Sequence, residues 1–163
     1  MNREKITDCK ILAKNFYKHA IEYFAAFTCL VSIPSVIFDD KTISLFCAQS
    51  TNGAFACELF LKSLFYHYVG DFMKIIKSEE RHNLFELFKP LPDSVKNSIA
   101  DYVASKTDHW CNRSNVAEHL CSISNVFIDV RYIGQHAGEF GIFMSVIVWF
   151  CEALYQECKK VYE

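Results

Sequence analysis

Residues 54–65 read AFACELFLKSLF, an almost unbroken run of apolar side chains. The only charged residues in this run are Glu58 and Lys62, which are one helical turn apart. A helix that is apolar around nearly its whole circumference is typical of a protein interior, where neighbouring elements cover every face. We therefore predict that this segment is the central helix of a helical bundle.

The composition of the whole chain favours the same fold class. The chain has 163 residues, 52% of them hydrophobic, with 15 Phe and 8 Tyr, which is ample material for the core of one domain. It has only 5 Gly and 3 Pro, whereas all-β folds and Gly-rich nucleotide-binding folds need more turn residues. We predict an all-α fold, a single compact domain over residues 1–163 with about five to six helices.

The pattern of apolar residues and helix breakers places the elements in the first half of the chain. The first helix should cover residues 6–32 and end before Pro34, because proline disfavours a helical residue in front of it. The pattern then predicts a loop over residues 34–41. A second helical region follows over residues 42–70, with a break or kink at Asn52-Gly53. Its natural stop is Gly70, and the charged residues 71–81 should be less regular.

Four further helices are predicted in the second half of the chain: residues 82–88, 93–105, 115–124 and 138–162. Pro90 and Pro92 close the first of them, and Asp93 or Ser94 is expected to cap the next. The last helix should bury one apolar face, formed by Phe143, Ile147, Phe150, Leu154 and Val161.

Charge and cysteine content exclude several classes of protein. The formal net charge is −2, so the chain lacks the overall basic character of many nucleic-acid-binding proteins, and any RNA contact must be local. The eight cysteines form no C-x-x-C pair, most have apolar neighbours, and no signal peptide opens the chain. We expect a cytoplasmic protein with cysteines acting as small hydrophobic residues, rather than a disulfide framework.

The most apolar stretch, residues 140–150, is about half as long as a membrane-spanning helix. Glu139 and Glu152 flank it. A buried core helix explains this stretch better, and we predict no membrane contact.

Arg131 and His136 are the residues with the clearest chemical potential. Histidine can remove the proton of a ribose 2′-OH or protonate the leaving oxygen near neutral pH. Arginine can hold a phosphate through two hydrogen bonds and stabilise charge that develops on it. On one continuous helix the two side chains would point about 140° apart, so an irregular turn near Gly134 or a second subunit is needed to bring them together.

Three segments, taken in order, resemble the HEPN superfamily of small helical bundles, which often act as RNA-cutting toxins or defence proteins. Residues 52–64, NGAFACELFLKSL, are similar to the A-x-x-x-E-x-x-x-K-x-L helix of many members. Residues 82–88, HNLFELF, are similar to the H-x-L-x-x-L helix that follows it. Residues 127–136, FIDVRYIGQH, look like the Arg-x4-6-His motif before the last long helix.

This resemblance implies a function and an assembly. Arg131 and His136 map onto the catalytic pair of the family, and the implied activity is metal-independent cleavage of RNA. The implied assembly is a homodimer in which two motifs face each other across a shared cleft. The implied biology is a toxin–antitoxin or phage-defence system, with an antitoxin or a defence protein as partner.

The chain departs from the family pattern directly after the arginine. Many members have Asn, Asp or His there, whereas this chain has Tyr132. A second hypothesis therefore stays open, in which the protein is a non-catalytic helical module that binds a protein partner or a nucleotide. In that case Arg131 is a structural ion-pair partner, for example of Glu58 or Asp129.

Four further residues are candidates for supporting roles. Glu58 and Lys62 have the i,i+4 spacing of a stabilising ion pair, and a central position makes an orienting pair more plausible than direct catalysis. Glu58 is expected to pair with Arg131 or to contact the helix of His82. His82 itself is expected to cap or pack that helix. Asp129 is expected to cap the last helix or to orient Arg131.

Two H-x-C elements, His109-Trp110-Cys111 and His119-Leu120-Cys121, raise the question of zinc. Their spacing matches no common zinc site, and His119 and Cys121 point to different faces of a helix. Neither a Gly-rich phosphate loop nor a nucleophile-elbow motif is present. We predict neither a metal site nor a cofactor.

Overall fold

The computed structural model describes residues 3–33, 35–108, 110–124 and 141–163. About three-quarters of these residues are helical, which confirms the predicted all-α fold class. The described helices are α1 (Arg3–Val31), α2 (Phe46–Tyr68), α3 (Phe72–Ile75), α4 (Leu84–Phe88), α5 (Asp93–Lys106), α6 (Val116–Ser124) and α7 (Gly141–Tyr162). A short 3₁₀ helix (Ser78–Glu80) and a small antiparallel sheet of β1 (Ser35–Phe38) and β2 (Lys41–Ser44) complete the described elements.

Helix α2 is the centre of the bundle, as the sequence predicts. Residues 56–66 are all buried, so every face of this part of the helix is covered. Helices α1, α4 and α7 pack against it. Helix α1 is antiparallel to α2, with Phe16 stacked on Tyr66 and Tyr23 against Phe55. Helix α7 runs parallel to α2 and antiparallel to α5.

Helix α7 buries most of its predicted apolar face. Ile147, Phe150 and Leu154 have no solvent exposure, and Val161 is half-buried. The side chain of Phe143 lies outside the described part of the structure. Among the described helices, none is long and apolar enough to cross a membrane.

The predicted break at Asn52-Gly53 is wrong, because α2 runs through it without interruption. The Asn52 side chain donates to the carbonyl oxygen of Ala48 at 2.7 Å, one turn back along the helix. Gly53 is required by packing: a Cβ atom there would lie 2.5 Å from Ile147 Cγ2 and 2.9 Å from the Phe27 ring. The close approach of α1, α2 and α7 thus explains a glycine that the sequence pattern alone suggests is a break.

The predicted stop at Gly70 is confirmed. Its φ of +120° lies in the left-handed region that glycine tolerates best, and its N–H donates to the carbonyl oxygen of Phe65 at 2.9 Å. The following residues 71–81, predicted to be less regular, contain only helix α3 and the short 3₁₀ helix.

The segment predicted as a loop followed by the start of a helix is instead a β-hairpin. Val36 pairs with Ile43 and Phe38 with Lys41 across the two strands. Asp39 and Asp40 have φ values of 52° and 56°, the positive angles that a tight type I′ hairpin turn requires. All residues of both strands are exposed, so the hairpin projects from the bundle.

Two helix starts also differ from the prediction. His82 does not cap helix α4: Asn83 does, through its Oδ1 atom, which accepts from the N–H groups of Phe85 and Glu86. Neither Asp93 nor Ser94 caps α5. The N-cap residue of α5 is Pro92, which makes no side-chain cap bond, and Asp93 pairs instead with Lys96 one turn further on at 2.9 Å.

Candidate functional site

The residues with the strongest chemical prediction lie between α6 and α7 in the sequence. Asp129, Arg131, Tyr132 and His136 fall outside the described residues, because the described chain ends α6 at Ser124 and resumes at Gly141. Their roles, including any contact between Arg131 and Glu58, stay predictions.

The three remaining candidates come together at one carboxylate oxygen. Glu58 Oε1 accepts a hydrogen bond from Lys62 Nζ at 2.6 Å and lies 2.9 Å from His82 Nδ1. The side chains of Glu58 and Lys62 are only 4% and 8% exposed, whereas that of His82 is 67% exposed. The predicted orienting ion pair and the contact with the His82 segment are therefore both present, and we call Glu58, Lys62 and His82 the polar cluster.

Local sequence explains how the polar cluster forms. Glu58 and Lys62 are one turn apart on α2, where a carboxylate and an ammonium group reach each other readily. The Asn83 cap fixes the start of α4 directly after His82. Leu84, Leu87 and Phe88 are buried and hold α4 to the core, so the chain carries His82 past Glu58.

Lys62 has a second partner on the opposite side from the histidine segment. Its Nζ atom lies 5.0 Å from the centroid of the Phe72 ring in α3. A cation over an aromatic face is attracted by the ring quadrupole, and this attraction is stronger when the cation is desolvated. The ammonium group of Lys62 is thus satisfied by a carboxylate and a ring, as a buried charge requires.

The geometry gives His82 a defined chemical orientation. When Nδ1–H donates to Glu58, the neutral ring presents Nε2 as its only acceptor. A histidine oriented by a carboxylate in this way is suited to accept or donate a proton near neutral pH. Since the side chain is 67% exposed, an incoming molecule can reach this ring from solvent.

A second polar cluster, between α5 and α7, was not predicted. Ser98 Oγ donates to Glu157 Oε2 at 2.7 Å, and Lys160 Nζ contacts these two atoms at 2.7 and 2.6 Å. The sequence signal for it is the i,i+3 spacing of Glu157 and Lys160. All three groups are mutually paired, so this cluster serves to fasten the two helices.

A cavity of about 600 Å³ lies between the first turns of α1 and the end of α2. Glu58, Lys62 and His82 do not line it. Its charged groups are paired internally: Asp71 accepts from Tyr66 at 3.2 Å and from Lys74 at 2.9 Å. The hydrogen bond from Lys74 is the main reason that the pKa of Asp71 is lowered, although its burial acts in the other direction.

The H-x-C elements show no metal-like arrangement in the residues that the structure describes. There, no group of three or more His, Cys, Asp or Glu side chains is placed to hold a metal ion. Burial raises the pKa of the Cys111 thiol to about 11, and Thr107 Oγ1 bonds the backbone of Cys111. His119 packs edge-to-face against Trp110 at 4.9 Å, and His109 lies outside the described residues.

Comparison with protein-family models, with curated proteins and with solved structures gave no significant match. The all-helical architecture and the polar cluster are thus the properties on which a functional assignment must rest. The resemblance to the HEPN superfamily remains a prediction from the three sequence motifs.

Proposed function

We propose that this protein is a metal-independent endoribonuclease of the HEPN type, with Arg131 and His136 as its catalytic pair. The observation that supports the proposal is the polar cluster, in which two of the three HEPN-like segments meet. Glu58 belongs to the segment of residues 52–64, and the His82 ring that it contacts opens the segment of residues 82–88. Two segments chosen for their sequence resemblance are therefore joined through the side chains that define them.

The proposed reaction uses the 2′-OH of the RNA substrate. His136 accepts the proton of this hydroxyl as its oxygen attacks the neighbouring phosphorus atom. Arg131 binds the non-bridging phosphate oxygens and stabilises the charge that accumulates on them. The 5′ oxygen leaves with a proton, and the products are a 2′,3′-cyclic phosphate and a 5′-OH end. No step requires a metal ion or a cofactor.

We further propose that the active unit is a homodimer. The spacing of Arg131 and His136 puts them about 140° apart on a regular helix, so one copy of the motif does not converge readily on one phosphate. Two copies facing each other supply both groups from both sides. Glu58, Lys62 and His82 then act as supporting residues that fix α4 against α2, while Tyr132 and Asp129 flank the catalytic pair.

The direct test is RNA cleavage by the purified protein in the presence of EDTA. The wild type should convert a labelled single-stranded RNA into fragments that end in 2′,3′-cyclic phosphate, and Arg131→Ala and His136→Ala should each abolish this conversion. The matched controls are Arg113→Ala and His19→Ala, since both of these side chains are exposed and belong to surface ion pairs. Equal cleavage by the wild type and both catalytic variants would refute the assignment.

The proposed cellular setting is the cytoplasm, in a toxin–antitoxin or phage-defence system. Induced expression should arrest growth, and the His136→Ala protein, produced at the same level, should not. Co-expression with the neighbouring antitoxin gene should relieve the arrest. Growth arrest of equal strength with the His136→Ala protein would show that RNA cleavage by this site is not responsible.

A second candidate function is supported by the β-hairpin. Val36, Ile37, Phe38 and Ile43 are 39%, 80%, 73% and 43% exposed, an unusual density of apolar surface for two short strands. In this alternative the chain is a non-catalytic module that binds a protein partner through the hairpin. A wild type that is folded but inactive on RNA, and that loses a defined partner on Ile37→Asp with Phe38→Asp, would favour it over the endoribonuclease.

A further inference from the structure

Two buried thiols touch where α2 packs against α7. Cys57 and Cys151 have no solvent exposure, and their Sγ atoms are 3.2 Å apart. They are 94 positions apart in the chain, so the contact joins two distant segments. The other two buried cysteines, Cys111 and Cys158, are bonded to a threonine hydroxyl and to the carbonyl oxygen of Phe60.

The close approach of the helices brings the two sulfur atoms together. Gly53 lies one turn before Cys57, and its missing Cβ allows the Ile147 side chain to come within 2.5 Å of where that atom would be. Cys151 Sγ donates to the carbonyl oxygen of Gly53 at 3.1 Å, and Cys57 Sγ lies 4.0 Å from that of Ile147. Each thiol therefore sits against the opposite helix, one turn beyond the point of closest contact.

We propose that Cys57 and Cys151 form an intramolecular disulfide when the protein meets a hydroperoxide. The sulfur of one cysteine attacks a peroxide oxygen, and the O–O bond breaks to give a sulfenic acid and water. The second sulfur attacks the sulfenic sulfur, releases another water and forms the S–S bond. In total two thiols are oxidised, and one hydrogen peroxide is reduced to two molecules of water.

The geometry leaves little movement for this step. A disulfide has an S–S length of about 2.0 Å, so the sulfur atoms must approach by about 1.2 Å from their 3.2 Å contact. Because both residues are buried, the oxidant must be small and uncharged and must enter through local opening of the α2–α7 contact. Burial also raises the pKa of Cys151, which disfavours the reactive thiolate and makes the reaction slow.

The disulfide would lock the helix that carries Glu58 and Lys62 to the last helix. Residue 57 directly precedes Glu58 in α2. A cross-link over such a long stretch of chain restricts the unfolded state strongly, so the oxidised protein should unfold at a higher urea concentration than the reduced one. This inference does not rest on the proposed RNA cleavage, and its test uses no RNA.

The test uses a variant from which the solvent-accessible thiols have been removed. The four cysteines with exposed or half-buried side chains are changed to serine: Cys9, Cys29, Cys47 and Cys121. The folded variant is treated with hydrogen peroxide, denatured in the presence of an alkylating maleimide, and analysed by intact mass and peptide mapping. Far-ultraviolet circular dichroism before and after treatment verifies that the protein stays folded.

The expected result is the loss of two of the four remaining thiols and a single cross-linked peptide pair that contains Cys57 and Cys151. Dithiothreitol should restore all four thiols and the lower urea midpoint. Adding Cys151→Ala should prevent cross-linking, whereas adding Cys158→Ala, the matched buried control, should leave it unchanged. Four alkylated thiols after prolonged treatment of the folded variant, or a disulfide that involves Cys111 or Cys158, would overturn the proposal.

Discussion

Replacing Glu58 by alanine should be among the most destabilising substitutions in the chain. The substitution removes a carboxylate that is 4% exposed and leaves the Lys62 ammonium, 8% exposed, without its ion partner. An uncompensated buried charge costs about 3–5 kcal/mol of unfolding free energy. The loss of the His82 contact adds less than about 1 kcal/mol, because that ring is 67% exposed and water replaces the bond. The expected total of roughly 3–5 kcal/mol is a third or more of a typical domain stability.

Urea unfolding followed by circular dichroism measures this loss. Lys62→Met should cost less than Glu58→Ala, since the remaining Glu58 keeps the exposed His82 as a partner. The double variant Glu58→Leu with Lys62→Met removes both charges at similar volume, and it should be close to the wild type or more stable. Asp101→Ala is the matched surface control: it breaks the exposed Asp101–Arg113 pair and should change the midpoint far less than Glu58→Ala.

The reasoning depends on burial of the pair, and the measurements can contradict it directly. A Glu58→Ala protein no less stable than the Asp101→Ala protein would show that water reaches the Lys62 ammonium. A double variant as unstable as Glu58→Ala would show that the loss comes from packing rather than from an unpaired charge.

Three further predictions concern helix geometry and pH. Gly53→Ala should lower stability by up to about 2 kcal/mol, because contact with Ile147 costs about 1–3 kcal/mol and better helix propensity returns about 1 kcal/mol. Gly70→Ala meets no neighbour and should cost about 1 kcal/mol through backbone strain at φ +120° alone; a stabilising alanine at either position in urea unfolding would contradict the assignment. Burial raises the pKa values of Tyr66 and Tyr162 to about 12 from an unfolded value of about 10, so their contribution is complete below pH 10 and is lost as pH rises towards 12; a urea midpoint that does not fall over this range would refute it.

The sequence predicts the bundle and its central helix because these depend on side chains that sit next to one another in the chain. Residues 54–65 are apolar on all faces, and in the structure residues 56–66 are buried on all faces. The end of α2 at Gly70 is equally local, since a glycine in the left-handed region satisfies the last carbonyl groups of the helix.

Gly53 and the hairpin were misread for opposite physical reasons. Glycine is a helix breaker by intrinsic propensity, yet Gly53 stays helical because tertiary packing leaves no room for a Cβ. The hairpin lacks the Asn-Gly or Asp-Gly turn that usually announces one, and Asp39-Asp40 adopts the positive φ angles instead. Its strands also lack the alternation of apolar and polar residues, because neither face is buried.

The polar cluster was predictable only in part. The i,i+4 pair of Glu58 and Lys62 is visible in the sequence, since both residues lie on one helix. The identity of the third member depends on how α4 docks onto α2, and both Arg131 and the His82 segment were reasonable partners for Glu58. Asn83 rather than His82 caps α4, and this leaves the His82 ring free to reach Glu58.

The exposed hairpin has a consequence for how this chain can change in length. Because none of its strand residues is part of the core, residues added between Asp39 and Asp40 would leave the antiparallel contact of α1 with α2 unaltered. The two helices that flank the hairpin are held together by their own buried side chains and not by the turn. This tip is therefore the natural place to insert a fluorescent or affinity tag, and the place where related chains can vary most in length while keeping the same helical scaffold.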